Sequence, residues 1–265
     1  MATTIVGNDI SGIGQGVIDW AIYKNNTNFV LIKASEGNGV IDNEFGNNRQ
    51  QARDANLPRG FYHFARPDLN NSPQQEAEYF WNLIDGQPIQ EGEVLALDYE
   101  VTYGDCVHWC KEWLDLVSAH FNGIKPLIYL NQGLAKNYDW SPVVNAGYGL
   151  WIASYTGSPE NNNAETGKWE FAAIQQWTDK QIVPGIGMPV DGDVFFGDAE
   201  QFKAYGYQSP TPTPPVESTN TPSQETQTPP SAADTTSTIE VPSNYKEFWN
   251  GLITYFHTFF QKKNE

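Results

Sequence analysis

The sequence predicts an α/β barrel, from three observations. Eight short apolar runs rich in β-formers recur along the first 200 or so residues. Helical patterns separate the early runs. The last three runs follow one another through loops, so helices come after the first five strands and the regularity fails late. The expected strands are 4–9, 29–34, 60–65, 94–99, 126–130, 149–154, 171–177 and 190–195. Each reads as a strand covered on both faces, an unbroken apolar run rather than an alternating one. Helices are expected around 17–25, 43–56, 73–85 and 104–122, with short ones near 131–138 and 198–204. Ser72-Pro73 marks a helix start, an N-cap followed by proline at the first helical position.

Composition sets the function classes. The chain has 265 residues and a net charge of −17, from 32 Asp and Glu against 15 Lys and Arg. That balance counts against nucleic acid as a partner, because phosphate binding needs a basic face. It also disfavours docking to an anionic membrane by charge alone. Nine Trp, 13 Tyr and 14 Phe are enough for a core and for a binding surface besides. Two cysteines do not make a disulfide scaffold. Cys106 and Cys110 sit four apart on an expected helix, where packing is the simpler reading than a metal or redox pair. The opening MATTIVGNDISG has neither the basic nor the apolar region of a signal peptide. No stretch reaches the roughly 20 apolar residues of a membrane-spanning helix. A soluble protein made in the host cytoplasm is expected, and action outside the cell would need separate release.

Composition breaks after Gln208. Residues 209–243 hold 8 of the 17 prolines and 15 Ser or Thr, with no aromatic, Leu, Lys or Arg. Such a segment cannot bury enough apolar area to offset chain entropy and reads as a flexible linker. Residues 244–265 carry Tyr245, Phe248, Trp249, Leu252, Phe256, Phe259 and Phe260 at helical spacing, behind Ser243 as candidate N-cap. Three readings of this tail stay open: a membrane-interface helix, a self-association or partner surface, and packing on the barrel. The expected domains are 1–208, 209–243 and 244–265. About −14 of the charge lies on the first, −4 on the linker and +1 on the tail.

Barrel enzymes carry their chemistry at the C-terminal ends of the strands. Those positions are acidic here: Asp9, Glu36, Asp98, Glu100, Asp191 and Asp193. Residues i and i+2 of a strand point to one side, so Asp98 and Glu100 share the mouth. Like charges that close raise a pKa, and a raised glutamic acid is a general acid at neutral pH. Paired carboxyls of this kind cleave glycosidic bonds. Aromatics at or near strand ends (Tyr62, Tyr99, Tyr129, Trp151, Tyr155, Trp177) suit the apolar faces of sugar rings, and Trp81 adds another. His63, His108, His120 and His257 are scattered, so no metal or other cofactor is expected; His63 reads as a hydrogen-bonded strand residue.

The run D-I-S-G-I-G-Q-G-V-I-D-W (9–20) resembles the start of glycoside hydrolase family 25, the Chalaropsis-type lysozymes. So do I-K-A-S-E-G (32–37), G-F-Y-H-F-A (60–65), L-D-Y-E (97–100), I-Y-L-N (128–131), L-W-I-A-S-Y (150–155), Q-Q-W (175–177) and V-D-G-D-V-F (190–195). The blocks are collinear over about residues 4–207. The resemblance implies an irregular TIM-like (β/α)5(β)3 barrel and N-acetylmuramidase activity on the β-1,4 bond from N-acetylmuramic acid to N-acetylglucosamine in bacterial peptidoglycan. It implies Glu100 as general acid/base. Asp98 is then the nucleophile or the group that orients the substrate N-acetyl. Asp9 and Asp191 shape the hydrogen bonding and keep the field negative. Tyr62, Tyr129, Trp151, Gln175, Trp177, Glu36 and Asp193 are the expected substrate contacts. The family often has Asn where this chain has Asp193, so on sequence alone Asp191 and Asp193 are exchangeable. A phage endolysin released through a holin fits the missing signal peptide, as does a stored autolysin. A non-catalytic glycan-binding barrel would lack the acids. A chitin-type glycosidase would carry D-x-x-D-x-D-x-E where this chain has E-V-L-A-L-D-Y-E.

Overall fold

The computed structural model describes residues 4–209. All but the first residue of the expected linker, and the whole of the expected tail, lie outside the described residues. Strands β1 (Ile5–Ile10), β2 (Phe29–Glu36), β3 (Val40–Ile41), β4 (Arg59–Phe64), β5 (Val94–Asp98), β6 (Leu127–Asn131), β7 (Leu150–Ala153), β8 (Ile174–Gln181) and β9 (Val190–Phe195) form one sheet. Its order is β1-β9-β8-β7-β6-β5-β4-β2-β3, and β1 also pairs with β2, so eight strands close into a barrel. β3 is a two-residue addition antiparallel to β2.

The helices are α1 (Gly12–Gln15), α2 (Trp20–Tyr23), α3 (Phe45–Asp54), α4 (Pro73–Asp85), α5 (Cys106–His120), α6 (Gln132–Asn137), α7 (Ser141–Asn145) and α8 (Ala199–Ala204). Helices follow the first five barrel strands and not β7 or β8, which is the (β/α)5(β)3 plan. Ser72 and Gln75 close a capping box at α4, with Pro73 opening the helix. α7 was not expected, and α2 is much shorter than the 17–25 pattern.

One feature departs from a parallel barrel. β9 runs antiparallel to both β8 and β1. A short loop joins β8 to β9 with no crossover helix, and such a connection permits only antiparallel pairing. The N-terminal end of β9 therefore lies at the same mouth as the C-terminal ends of the other strands.

Alternation sorts the strand residues. Ile32, Phe61, Leu95, Leu97, Ile128, Leu130 and Ile152 pack outward with Phe45, Ala52, Phe80, Trp113 and Leu114 of the helices. Their neighbours Leu31, Tyr62, Ala96, Asp98, Tyr129 and Trp151 therefore point inward. The lower end of the interior is apolar. Phe29 packs tilted and Phe195 edge-on against Phe202 of α8, with ring centroids at 4.9 and 5.4 Å. Gly7 makes room for this plug, because a Cβ there would lie 2.5–2.6 Å from Phe29. Below the barrel, Glu93 receives Arg53 Nε and Arg59 Nε, each at 2.7 Å. Burial raises the Glu93 carboxyl, but Arg53, the Gln90 backbone and Arg59 outweigh it and hold the pKa low. This buried ion cluster sits at the N-terminal face, where barrels place stability rather than chemistry.

Candidate active site

The upper interior is polar. Asp98 ends β5, in register between Phe64 of β4 and Tyr129 of β6. It is buried, and its Oδ1 has no hydrogen-bond partner among the described residues. Tyr99 turns outward onto Trp109, at 6.0 Å between ring centroids. Glu100 returns to the mouth and is exposed to solvent. Burial, then Glu100 and Asp9, push the Asp98 pKa well up. Partial withdrawal from water also raises Glu100, and Lys33 opposes that rise. The sequence reading assigned the rise to one member of the pair. Both are raised, and Asp98 is the buried one.

Asp9 enters from β1. Gln176 Nε2 donates to Asp9 Oδ2 at 2.7 Å, and Tyr129 Oη donates to Gln176 Oε1 at 2.9 Å. Burial lifts the Asp9 pKa to about 6 against the pull of Gln176 and Asp193. Trp151 packs edge-on against Tyr129 and Tyr62 at 4.7 and 5.8 Å, and its Nε1 donates to Asp193 Oδ1 at 2.8 Å. Tyr62, Tyr129, Trp151, Asp9, Asp98 and Asp193 thus line one interior layer above the apolar plug.

The direction of β9 separates its two acids. Asp191 is nearer the strand's start and therefore nearer the mouth; it is half-buried. Asp193 lies two residues deeper and is wholly buried. Burial, followed by Asp9, Asp179 and Glu100, pushes Asp191 to about 8. Burial thus disfavours the charged form of each of these acids, and the field they set up is weaker than their number suggests. Gly192, between them, meets β8 closely. A Cβ there would lie 2.5 Å from Gln181 Oε1 and 3.0 Å from Trp177 Cε2.

The other expected contacts fall differently. Gln175 points away from the acids. Its Nε2 braces the loop after β7 through Ser154 O, Thr156 Oγ1 and Asn161 O at 3.0–3.2 Å. Its neighbour Gln176 is the one that reaches the acids. Trp177 is half-buried at a bulge: Gln176 pairs with Asp193 and Thr178 with Gly192, leaving Trp177 as the extra residue. Glu36 is held by Lys33 Nζ and Arg66 Nη1, both at 2.8 Å, and its pKa is lowered: burial pushes it up, but the two cations outweigh that. Another bulge makes the Lys33 pairing possible. Ala34 is an extra residue in β2, since Lys33 pairs with Tyr62 and Ser35 with His63. Lys33 and Glu36 consequently share the inner side although they are three residues apart. Tyr155 is exposed, and Trp81 stacks on His120 at 4.6 Å, on the helices.

His63 is a hydrogen-bonded strand residue. Ser35 Oγ lies 2.8 Å from its Nδ1 and Glu76 Oε2 lies 2.9 Å from its Nε2. All three are buried, so this serine has no route to a substrate. Cys106 and Cys110 are buried thiols packed in the outer core. Among the described residues, no group of three or more His, Cys, Asp or Glu is arranged to hold a metal.

Sequence reading missed Gln176, Lys33 and Asp179. Gln176 was in view within Q-Q-W, but only the strand register tells which of the two glutamines faces inward.

The profile of the family described as glycosyl hydrolases family 25 matches residues 8–186. YegX of Escherichia coli (strain K12) is 31% identical over 221 residues, covering 76% of this chain and 73% of that one. The autolytic lysozyme of Clostridium acetobutylicum is 30% identical over 185 residues, 69% of this chain and 53% of that protein. Among solved structures, a family GH25 lysozyme from Aspergillus fumigatus superposes with a TM-score of 0.59 at 27% identity, covering 77% of this chain and 99% of that one. The profile match runs from the second half of β1 through β8 and includes the D-Y-E segment, and the fold agrees with it. The chain belongs to glycosyl hydrolases family 25.

Proposed function

We propose that this lysozyme-type glycoside hydrolase cleaves the β-1,4 bond from N-acetylmuramic acid to N-acetylglucosamine in peptidoglycan. The observation that carries the reading is the pairing of Asp98 and Glu100. They are two residues apart at a strand end, both with raised pKa, one buried and one open to solvent.

Glu100 is the general acid/base. It is solvent-open, as a group that must protonate a leaving oxygen and later activate water has to be. Asp98 orients the substrate N-acetyl. Its Oδ1 lacks a donor, and an amide N–H from the sugar would supply one. The acetyl oxygen then attacks the anomeric carbon in place of a protein nucleophile, as in substrate-assisted glycosidases. Tyr62, Tyr129 and Trp151 form the apolar wall beside the acids. Bacterial cell wall is the polymer this reading gives as partner.

Glu100→Gln removes the transferable proton at nearly constant shape. Lysis of purified walls should fall about a hundred- to ten-thousandfold, with unchanged circular dichroism. A well-folded Glu100→Gln protein that still turns over at the wild-type rate would rule Glu100 out as the acid.

A further inference from the structure

Asp193 has no exposure to solvent. Its Oδ1 takes the Trp151 indole N–H at 2.8 Å. Its Oδ2 meets no donor among the described residues. Asp9 is its neighbour: Gln176, which donates to Asp9, pairs in register with Asp193, and so does Gly7, two residues before Asp9 on the same side of β1. Two carboxylates cannot face each other as anions in a water-excluded site; a proton must lie between them. The surroundings decide who holds it. Asp9 receives the Gln176 amide and its own backbone N–H, both of which favour an anion. Asp193 has the indole alone.

We propose that Asp193 is a positioning residue, a neutral carboxylic acid that donates its O–H to Asp9 and holds Asp9 as an oriented anion beneath the substrate. Trp151 fixes which way the acid points, so its indole ties the aromatic wall to the acids. The pair does not stand alone. Asp191 on β9 raises Asp193, and Glu100 raises Asp9. Tyr62 on β4 and Tyr23 on α2 feel both charge and burial, and their hydroxyls stay neutral. The cation Lys33 acts on Asp98 and Glu100. The pair shares its titration, so its protons leave in steps that belong to both residues. Loss of the shared proton at high pH leaves two anions in contact and displaces Asp9.

The inference rests on the glycosidase reading for its consequence, but not for its test. Carbonyl-carbon NMR of the full chain with labelled aspartate should show a carboxyl that stays protonated at neutral pH and titrates far above the ordinary aspartate range. In Asp193→Asn that signal should vanish, because an amide donates to Asp9 without titrating. The alkaline fall in kcat/KM that comes from losing the shared proton should be present in wild type and absent in Asp193→Asn. Should Asp193→Asn fail to fold, Trp151→Phe keeps the ring and deletes the donor. The same carboxyl should then titrate still higher, since its anion has lost its only N–H. A wild-type spectrum in which the Asp193 carboxyl is ionised at neutral pH would overturn the proposal even if the protein lyses walls. A protonated carboxyl in a protein that lyses nothing would leave this proposal intact and defeat the functional one.

Discussion

Gln176 donates its side-chain amide to Asp9 at 2.7 Å while accepting the Tyr129 hydroxyl at 2.9 Å. Three strands, β1, β6 and β8, are joined across the barrel by one side chain. Replacing it with Leu leaves Asp9 Oδ2 and the Tyr129 hydroxyl without this partner in a buried place. That should cost about 1–3 kcal/mol of stability. It should also lower kcat more than it raises KM, because the effect runs through Asp9 and not through a lost sugar contact. Urea unfolding and steady-state kinetics on soluble muropeptides check both parts. Gln175→Leu should leave the ratio of kcat to KM effects without that bias.

Asp191 predicts a pH dependence of stability. Its folded pKa of about 8 lies above the ordinary aspartate value of 3.8. The neutral form is thus favoured by folding. Its contribution is full below about pH 3.8 and is lost as the pH rises through about 8. Asp191→Asn removes the penalty of charging this site. Its Tm relative to wild type should climb between pH 4 and pH 8 by several degrees, since each kcal/mol moves Tm by about 2–4 °C in a domain of this size. A constant difference across that range, measured by calorimetry, would contradict the raised pKa.

The Arg53–Glu93–Arg59 cluster predicts a stability effect without a catalytic one. Glu93→Gln leaves two guanidinium groups facing no charge in a buried place. The expected loss is about 3–5 kcal/mol by urea unfolding. Turnover per folded molecule should hold, because the cluster is at the opposite end of the barrel from Glu100. A comparable fall in kcat would show that the two faces are coupled.

Much of this was legible in the sequence. Eight strands, five of them followed by helices, could be placed from apolar runs and a cap such as Ser72-Pro73. Asp9 and Asp98 could be placed at strand ends, and period-2 alternation put Asp98 and Glu100 on one side. Sequence does not carry the direction of a strand, so the reversal of β9 was hidden, and with it the reason Asp191 lies above Asp193. Bulges were hidden for a related reason. An extra residue such as Ala34 or Trp177 shifts the parity of a strand. Lys33 and Glu36 then meet although strict alternation separates them. Burial was the third gap. It raises the pKa of every member of a row of acids that reads as a strong negative field.

The central claim is the bond that is cut. Mass spectrometry of reducing ends released from purified peptidoglycan reads it directly. The predicted result is new N-acetylmuramic acid ends, formed by wild type and absent with Glu100→Gln. New N-acetylglucosamine ends would contradict it, because the same two carboxyls would then be cutting the other glycosidic bond of the polymer.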